Sequence, residues 1–310
     1  TMNTLEQLRE HSIVVADTAD FHAIETFKPV DATTNPSLIL KQAQSPVTAG
    51  LIAETKLGLA TGQFASAAEA ALDLSVRFGV EIAQRIKGYV STEVDARLSF
   101  NTTRSIEQAH LILKKYEAFG ISQDRILIKL ASTWEGIQAA KALEEEGIGC
   151  NLTLLFSETQ AIAAANAQAT LISPFVGRIY DWYVAKGEIP ESAQSDPGVL
   201  SVKNILNQYK VHGVSTIVMG ASFRTADQVL ALAGCDRLTI SPALLEELEN
   251  RQERVQPMPT MSPTGEPLKM LSRDEFLLAI AADSMANEKL ADGITRFIKD
   301  QETLERLLSD

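Results

Sequence analysis

The chain has 310 residues, 45% hydrophobic and 22% charged, the ordinary composition of a globular protein. A core of that size needs neither disulfides nor metal, and two cysteines, Cys150 and Cys235, are too few for a secreted disulfide framework. A net charge of −12 argues against a nucleic-acid surface, which requires a basic face, but not against a small anion held by a few local arginines.

The amino-terminal stretch TMNTLEQLREHS lacks the apolar core of a signal peptide, and nowhere is there an apolar run of about eighteen residues. A cytosolic protein without a membrane span is therefore expected. β-rich runs recur at 13–17 (IVVAD), 30–34 (VDATT), 89–94 (YVSTEV), 126–131 (ILIKLA), 150–155 (CNLTLL), 171–176 (LISPFV), 216–221 (TIVMGA) and 237–241 (RLTIS). Helical patterns lie between them. Residues 71–86 carry apolar residues at helical spacing. A second helix opens on a Ser105…Gln108 capping box and stops at Gly120; a third opens on Ser132…Glu135 and stops at Gly147. Cys150 and Cys235 each sit beside a glycine near a strand, and read as small, unpaired core residues.

Pro257, Pro259, Pro263 and Pro267 predict an extended loop over 255–268. Helices follow over 272–282 and 285–308. On the second, Leu290, Ile294, Phe297, Ile298 and Leu304 form an apolar stripe expected to dock on the protein's own body. Eight strands alternating with helices imply parallel βαβ units and match a single (β/α)8 TIM barrel with extra terminal helices. One domain over 1–310 is expected, with helices at about 272–308 packed on the barrel. The competing architecture is an open doubly wound sheet, but no Gly-rich phosphate turn follows any early strand.

A parallel barrel builds its site at the C-terminal ends of its strands. Polar residues collect there: Asp17, Thr33, Asn35, Glu93, Lys129, Asn151, Thr153, Ser173, Arg178, Ser222, Arg224 and Ser241. Lys129 stands out, because a lysine within ILIKLA must either escape to water or have chemistry to perform. The chemical reading is an amine that attacks a carbonyl to form a Schiff base. Lowering its pKa by about three units from about 10.4 takes about 4 kcal/mol, which desolvation by the flanking Ile and Leu residues could supply. A carboxylate in direct contact would oppose that shift, so Glu93 is expected to reach Lys129 through water. Structural readings compete: Asp17 as a helix cap, Glu93 as a salt-bridge partner of Arg97, and the Asn, Thr and Ser residues as loop caps. Arg178 and Arg224, just past consecutive strands, offer bidentate forks to phosphate. No His, Cys and carboxylate cluster has metal-ligand spacing, and His11, His22, His110 and His212 all fall away from strand ends.

The segments VVADTADF, DATTNPSLIL, STEVDARLS, RILIKLASTWEGI, NLTLLFS, LISPFVGRI, VMGASFR and AGCDRLTISP resemble, in order, the strand-end motifs of the transaldolase family. The resemblance runs from about residue 5 to residue 308, and is to the longer, dimeric enzymes. The shorter fructose-6-phosphate-aldolase-like group has tyrosine where this chain has Glu93. It implies transfer of a dihydroxyacetone unit from sedoheptulose 7-phosphate to glyceraldehyde 3-phosphate, without a cofactor, in the non-oxidative pentose phosphate pathway. Lys129 would form the Schiff base, Asp17 would move the C4 hydroxyl proton, and Glu93 with Thr153 would hold the relaying water. Asn35, Asn151 and Ser173 would orient the dihydroxyacetone part, with Thr33 and Phe175 lining the site. Arg178, Arg224 and Ser222 would bind phosphate. An aldolase releasing free dihydroxyacetone, or a non-catalytic sugar-phosphate-binding barrel, are the alternatives.

Overall fold

In the computed structural model, which describes residues 1–310, eight parallel strands close in sequence order into a barrel. They are β1 (Ile13–Asp17), β2 (Asp31–Thr33), β3 (Val90–Glu93), β4 (Ile126–Ala131), β5 (Cys150–Leu155), β6 (Leu171–Pro174), β7 (Ile217–Gly220) and β8 (Arg237–Ile240). Because β1 pairs with both β2 and β8, no strand edge is left open. The expected TIM barrel is what forms, and the doubly wound sheet is excluded.

Helix α1 (Thr4–Arg9) precedes β1 and α2 (Phe21–Phe27) follows it. Three helices, α3 (Pro36–Ala43), α4 (Ala49–Ala60) and α5 (Ala67–Ala83), separate β2 from β3. Then α6 (Thr102–Ala118), α7 (Trp134–Glu145) and α8 (Glu158–Asn166) follow β3, β4 and β5. After β6 come α9 (Gly177–Ala185) and α10 (Pro197–Val211); α11 (Ala226–Ala231) and α12 (Pro242–Glu249) follow β7 and β8. The chain ends in α13 (Arg273–Ala282) and α14 (Ser284–Ser309), and residues 255–268 hold neither helix nor strand.

Two helix starts differ from the sequence reading. Asn101, not Ser105, caps α6, accepting from Arg104 N at 3.0 Å; Ser105 lies one turn inside and donates to the Leu98 carbonyl. Thr133, not Ser132, caps α7. Ser132 instead donates to the Thr153 carbonyl at 2.7 Å, so its hydroxyl is tied to the barrel. Adjacent residues of capping type are indistinguishable in sequence; the fold decides which one faces the helix. The stops are as read: Gly120 and Gly147 have φ of +78° and +83°, the left-handed conformation glycine adopts without strain.

Side chains alternate between the helix layer and the lumen along each strand. In β4, Ile126, Ile128 and Leu130 join the core under the helices, alongside Ile112, Ile137 and Leu143. Leu127 faces the lumen and packs with Val15, Leu171 and Met219. Lys129 follows Leu127 on that face. This corrects the expectation that Ile128 and Leu130 desolvate the amine: they point to the helix side, and the apolar floor below Lys129 is made by four strands.

Helix α14 packs across the top of the barrel. Leu290, Ile294 and Phe297 cluster with Leu154, Phe156, Phe175 and Ile179, so the apolar stripe docks on the protein's own body. The approach is close: a Cβ on Gly293 would stand 2.6 Å from Leu154 Cδ2. Leu154 itself, at a β5 irregularity, has φ +53°. Cys150 and Cys235 are buried and unpaired, and burial pushes both thiols up, Cys235 to about 12. No helix is long and apolar enough to cross a membrane.

Candidate active site

Register and alternation bring the polar strand ends together. Asp17 pairs in register with Thr33, Glu93 with Lys129, Lys129 with Asn151, and Ala131 with Thr153. Above the apolar floor, a cavity of about 260 Å³ opens among them. Of the expected residues, Asp17, Thr33, Asn35, Lys129, Thr153, Ser173, Phe175, Arg178, Ser222 and Arg224 line it; Glu93 and Asn151 do not. Asn151 is fully buried, donating to Ser91 Oγ at 3.1 Å and accepting from Ser173 Oγ at 2.6 Å.

The Lys129 residue is 5% exposed. Its Nζ donates to the Thr34 carbonyl at 3.0 Å, and Glu93 Oε1 lies 3.7 Å away. That separation is a direct electrostatic contact, which counts against an arrangement bridged only by water. It is also too long for a hydrogen bond. Glu93 Oε1 has no hydrogen-bond partner, nor has the buried hydroxyl of Thr153. Burial pushes the Glu93 carboxyl up to about 7, with Lys129 and then Arg178 opposing the rise. Burial raises Asp17 as well, opposed by Lys129, by a 3.0 Å hydrogen bond from Thr33 Oγ1, and by Arg178. Both carboxyls are thus shifted towards holding a proton, because the loss of water in the lumen costs each carboxylate more than the neighbouring Lys129 and Arg178 return.

The structural alternatives for these acids are taken by neighbours. Asp20, not Asp17, caps α2, accepting from His22 N at 3.0 Å. Arg97 pairs with Asp95 and Glu305, not with Glu93. Asn35 does cap its helix, accepting from Leu38 N at 2.9 Å, while also lining the cavity. No three His, Cys, Asp or Glu side chains converge as a metal site.

At the outer end three arginines meet. Gly177 leaves room for one of them: a Cβ there would be 2.3 Å from the Ser222 carbonyl and 2.8 Å from Arg224 Cγ. Ser222 has φ +59°, and its carbonyl accepts from Gly177 N. Arg224 forks onto Asp181 at 2.7 and 3.2 Å. The sequence reading missed the third arginine, Arg296, which reaches the cavity from α14. Its one signal is its place beside Phe297 in the docking stripe. Arg296 Nε stands 3.0 Å from Asp292 Oδ2, although that oxygen makes no hydrogen bond. Arg178 sits 5.1 and 5.4 Å from the rings of Phe175 and Phe297, with one guanidinium nitrogen unpartnered. Burial, then Arg296 and Arg224, lower its proton affinity from the ordinary arginine value. Three guanidiniums around one buried unpaired N–H suit a phosphate dianion.

A sequence model of the family described as transaldolase/fructose-6-phosphate aldolase matches residues 14–308. A transaldolase of Shewanella loihica is 53% identical over 311 residues, 99% of this chain and 98% of that protein. One from Methylobacillus flagellatus is 51% identical over 315 residues, covering 99% of both chains. A transaldolase of Shewanella oneidensis is 53% identical over 312 residues, again 99% of this chain and 98% of that protein.

Proposed function

The chain belongs to the transaldolase/fructose-6-phosphate aldolase family, and from that premise we propose that Lys129 carries a dihydroxyacetone unit between sugar phosphates as a Schiff base. It is an enzyme with the transaldolase function for which its full-length relatives are named. The donor is sedoheptulose 7-phosphate and the acceptor glyceraldehyde 3-phosphate, giving erythrose 4-phosphate and fructose 6-phosphate in the non-oxidative pentose phosphate pathway. The observation that carries this reading is a lysine 5% exposed in a barrel lumen, held by one backbone carbonyl and flanked by two carboxyls with raised pKa.

The amine adds to the ketose carbonyl, and loss of water gives a protonated imine. Glu93, with its pKa at about 7, can both donate and accept the protons of that dehydration near neutral pH. A water held between Glu93 Oε1 and the Thr153 hydroxyl, the two unpartnered groups, carries them. Asp17 then takes the C4 hydroxyl proton, the C3–C4 bond breaks, and its electron pair moves into the imine to leave an enamine. The enamine attacks the incoming aldehyde, Asp17 returns the proton to the new hydroxyl, and hydrolysis of the imine frees the amine. The imine is the electron sink, so no cofactor takes part.

Asn35 and Ser173 orient the three-carbon part, and Asn151 acts from behind by fixing Ser173, from whose hydroxyl it accepts at 2.6 Å. Thr33 and Phe175 line the site. Arg178 and Arg224, with Ser222, hold the phosphate, and Arg296 joins them. The proposal extends to a cytoplasmic homodimer and to a single domain, which the continuous core running from Leu5 to Leu308 supports. Borohydride added with fructose 6-phosphate should label the wild type irreversibly and leave Lys129→Ala unlabelled. Equal labelling of both, or none of the wild type, would sink the Schiff-base assignment.

A further inference from the structure

Glu93 borders a second cavity. It does not line the substrate cavity that holds Lys129 and Asp17; it lines a cleft of about 300 Å³ among α3, α5, α6 and α14. This cleft exists because the β2–β3 ladder is short. Pairing ends at Thr33 and Ser91, leaving only the Thr34 hydroxyl bonded to the Ser91 carbonyl beyond it. The cleft runs from buried Thr34 and Thr92 and the nearly covered side chain of Glu93 to Ala68 and Leu111, which are exposed. Asn35 is the one residue common to both cavities. Two residues of its inner wall touch the amine from behind: the Thr34 carbonyl at 3.0 Å and Glu93 at 3.7 Å.

Chemistry gives this cleft a use. Imine formation releases one water and imine hydrolysis consumes one, and both steps take place with a sugar phosphate in the substrate cavity. A ketose with its carbonyl at Lys129 and its phosphate on the outer arginines would lie along that cavity, between the amine and the mouth. We propose that the lateral cleft is the passage through which water and its protons reach and leave Glu93 and Lys129 while substrate lies between the amine and the mouth. The inference rests on the Schiff-base reading above, and it assigns a separate water route that the reading does not require.

The test fills the cleft from its outer, non-catalytic side, with Ala68→Trp and, independently, Ser75→Phe. Rapid quench with borohydride gives the rate of imine formation for fructose 6-phosphate and for free dihydroxyacetone, which is too short to reach the arginines. If the passage operates, both variants slow imine formation with fructose 6-phosphate about tenfold and leave that with dihydroxyacetone unchanged. Equal slowing with both ketoses, or none with either, overturns the passage. A wild type that traps neither ketose overturns the Schiff-base reading itself. Ala68 is solvent-exposed, so its variant tests the passage even if Ser75→Phe perturbs α5.

Discussion

The two ends of the barrel treat buried polar groups in opposite ways. At the N-terminal end they are satisfied. Asp31 pairs with Arg237 and accepts from Tyr89 N at 2.8 Å, and Arg237 lies 5.6 Å from the Tyr89 ring. Glu144 accepts from Cys150 N and from both the amide and hydroxyl of Thr170. Arg125 donates to the carbonyls of Gly88, Ala83 and Ile86. At the C-terminal end lie all four buried side-chain atoms without hydrogen-bond partners: on Glu93, Thr153, Arg178 and Asp292. A satisfied network specifies and holds the fold, whereas an unsatisfied one has capacity for a ligand. The charges are of similar kinds at both ends. Only their pairing separates scaffold from site.

Breaking the satisfied end should show as lost stability. Asp31→Ala leaves the partly buried Arg237 without its partner and should cost about 3–4 kcal/mol in denaturant unfolding, with turnover per folded molecule unchanged. A loss of turnover at full stability would erase the contrast. At the other end the expected change is in pH dependence. The folded pKa of Glu93, about 7, is raised above its ordinary 4.5, so between those values the folded state binds more protons than the unfolded state. Stability should therefore fall as pH rises from about 4.5 to about 7, by roughly 3 kcal/mol, and then level off. Asp17, also raised, acts in the same sense. Glu93→Gln should flatten most of the slope; an unaltered slope would mean that Glu93 is ionised throughout. The smallest effect belongs to Arg224, half-exposed and already forked onto Asp181. Arg224→Ala should weaken fructose 6-phosphate binding about tenfold, roughly 1.4 kcal/mol, and leave free dihydroxyacetone unaffected. Equal weakening of both would remove Arg224 from the phosphate end.

Much of this site was legible because strand ends are short in sequence. Asp17, Lys129, Ser173 and Arg224 each sit at or just past an apolar run, and the barrel rule converts that position into a location. Arg296 was not legible, since it lies more than fifty residues beyond the last strand and reaches the cavity only because its helix, α14, docks across the top. Nor was the burial of Asn151 beneath the cavity, or the cap of α7, where Ser132 and Thr133 differ only in which way the backbone turns them.

By itself the sequence determined the alternation of strands and helices, the polar ends of the strands, and a lysine among apolar residues. These follow from local periodicity and from the cost of burying a charge. The tertiary structure decided which neighbours that lysine has. In RILIKLAST, Ile128 and Leu130 belong to the helix layer. The groups that act on Lys129 are Thr34, Glu93 and the lumen floor of Val15, Leu127, Leu171 and Met219. Leu127 is two residues before Lys129 on the same strand, but only barrel closure and register bring the others to it, because they come from other strands and strand ends with no local signal linking them.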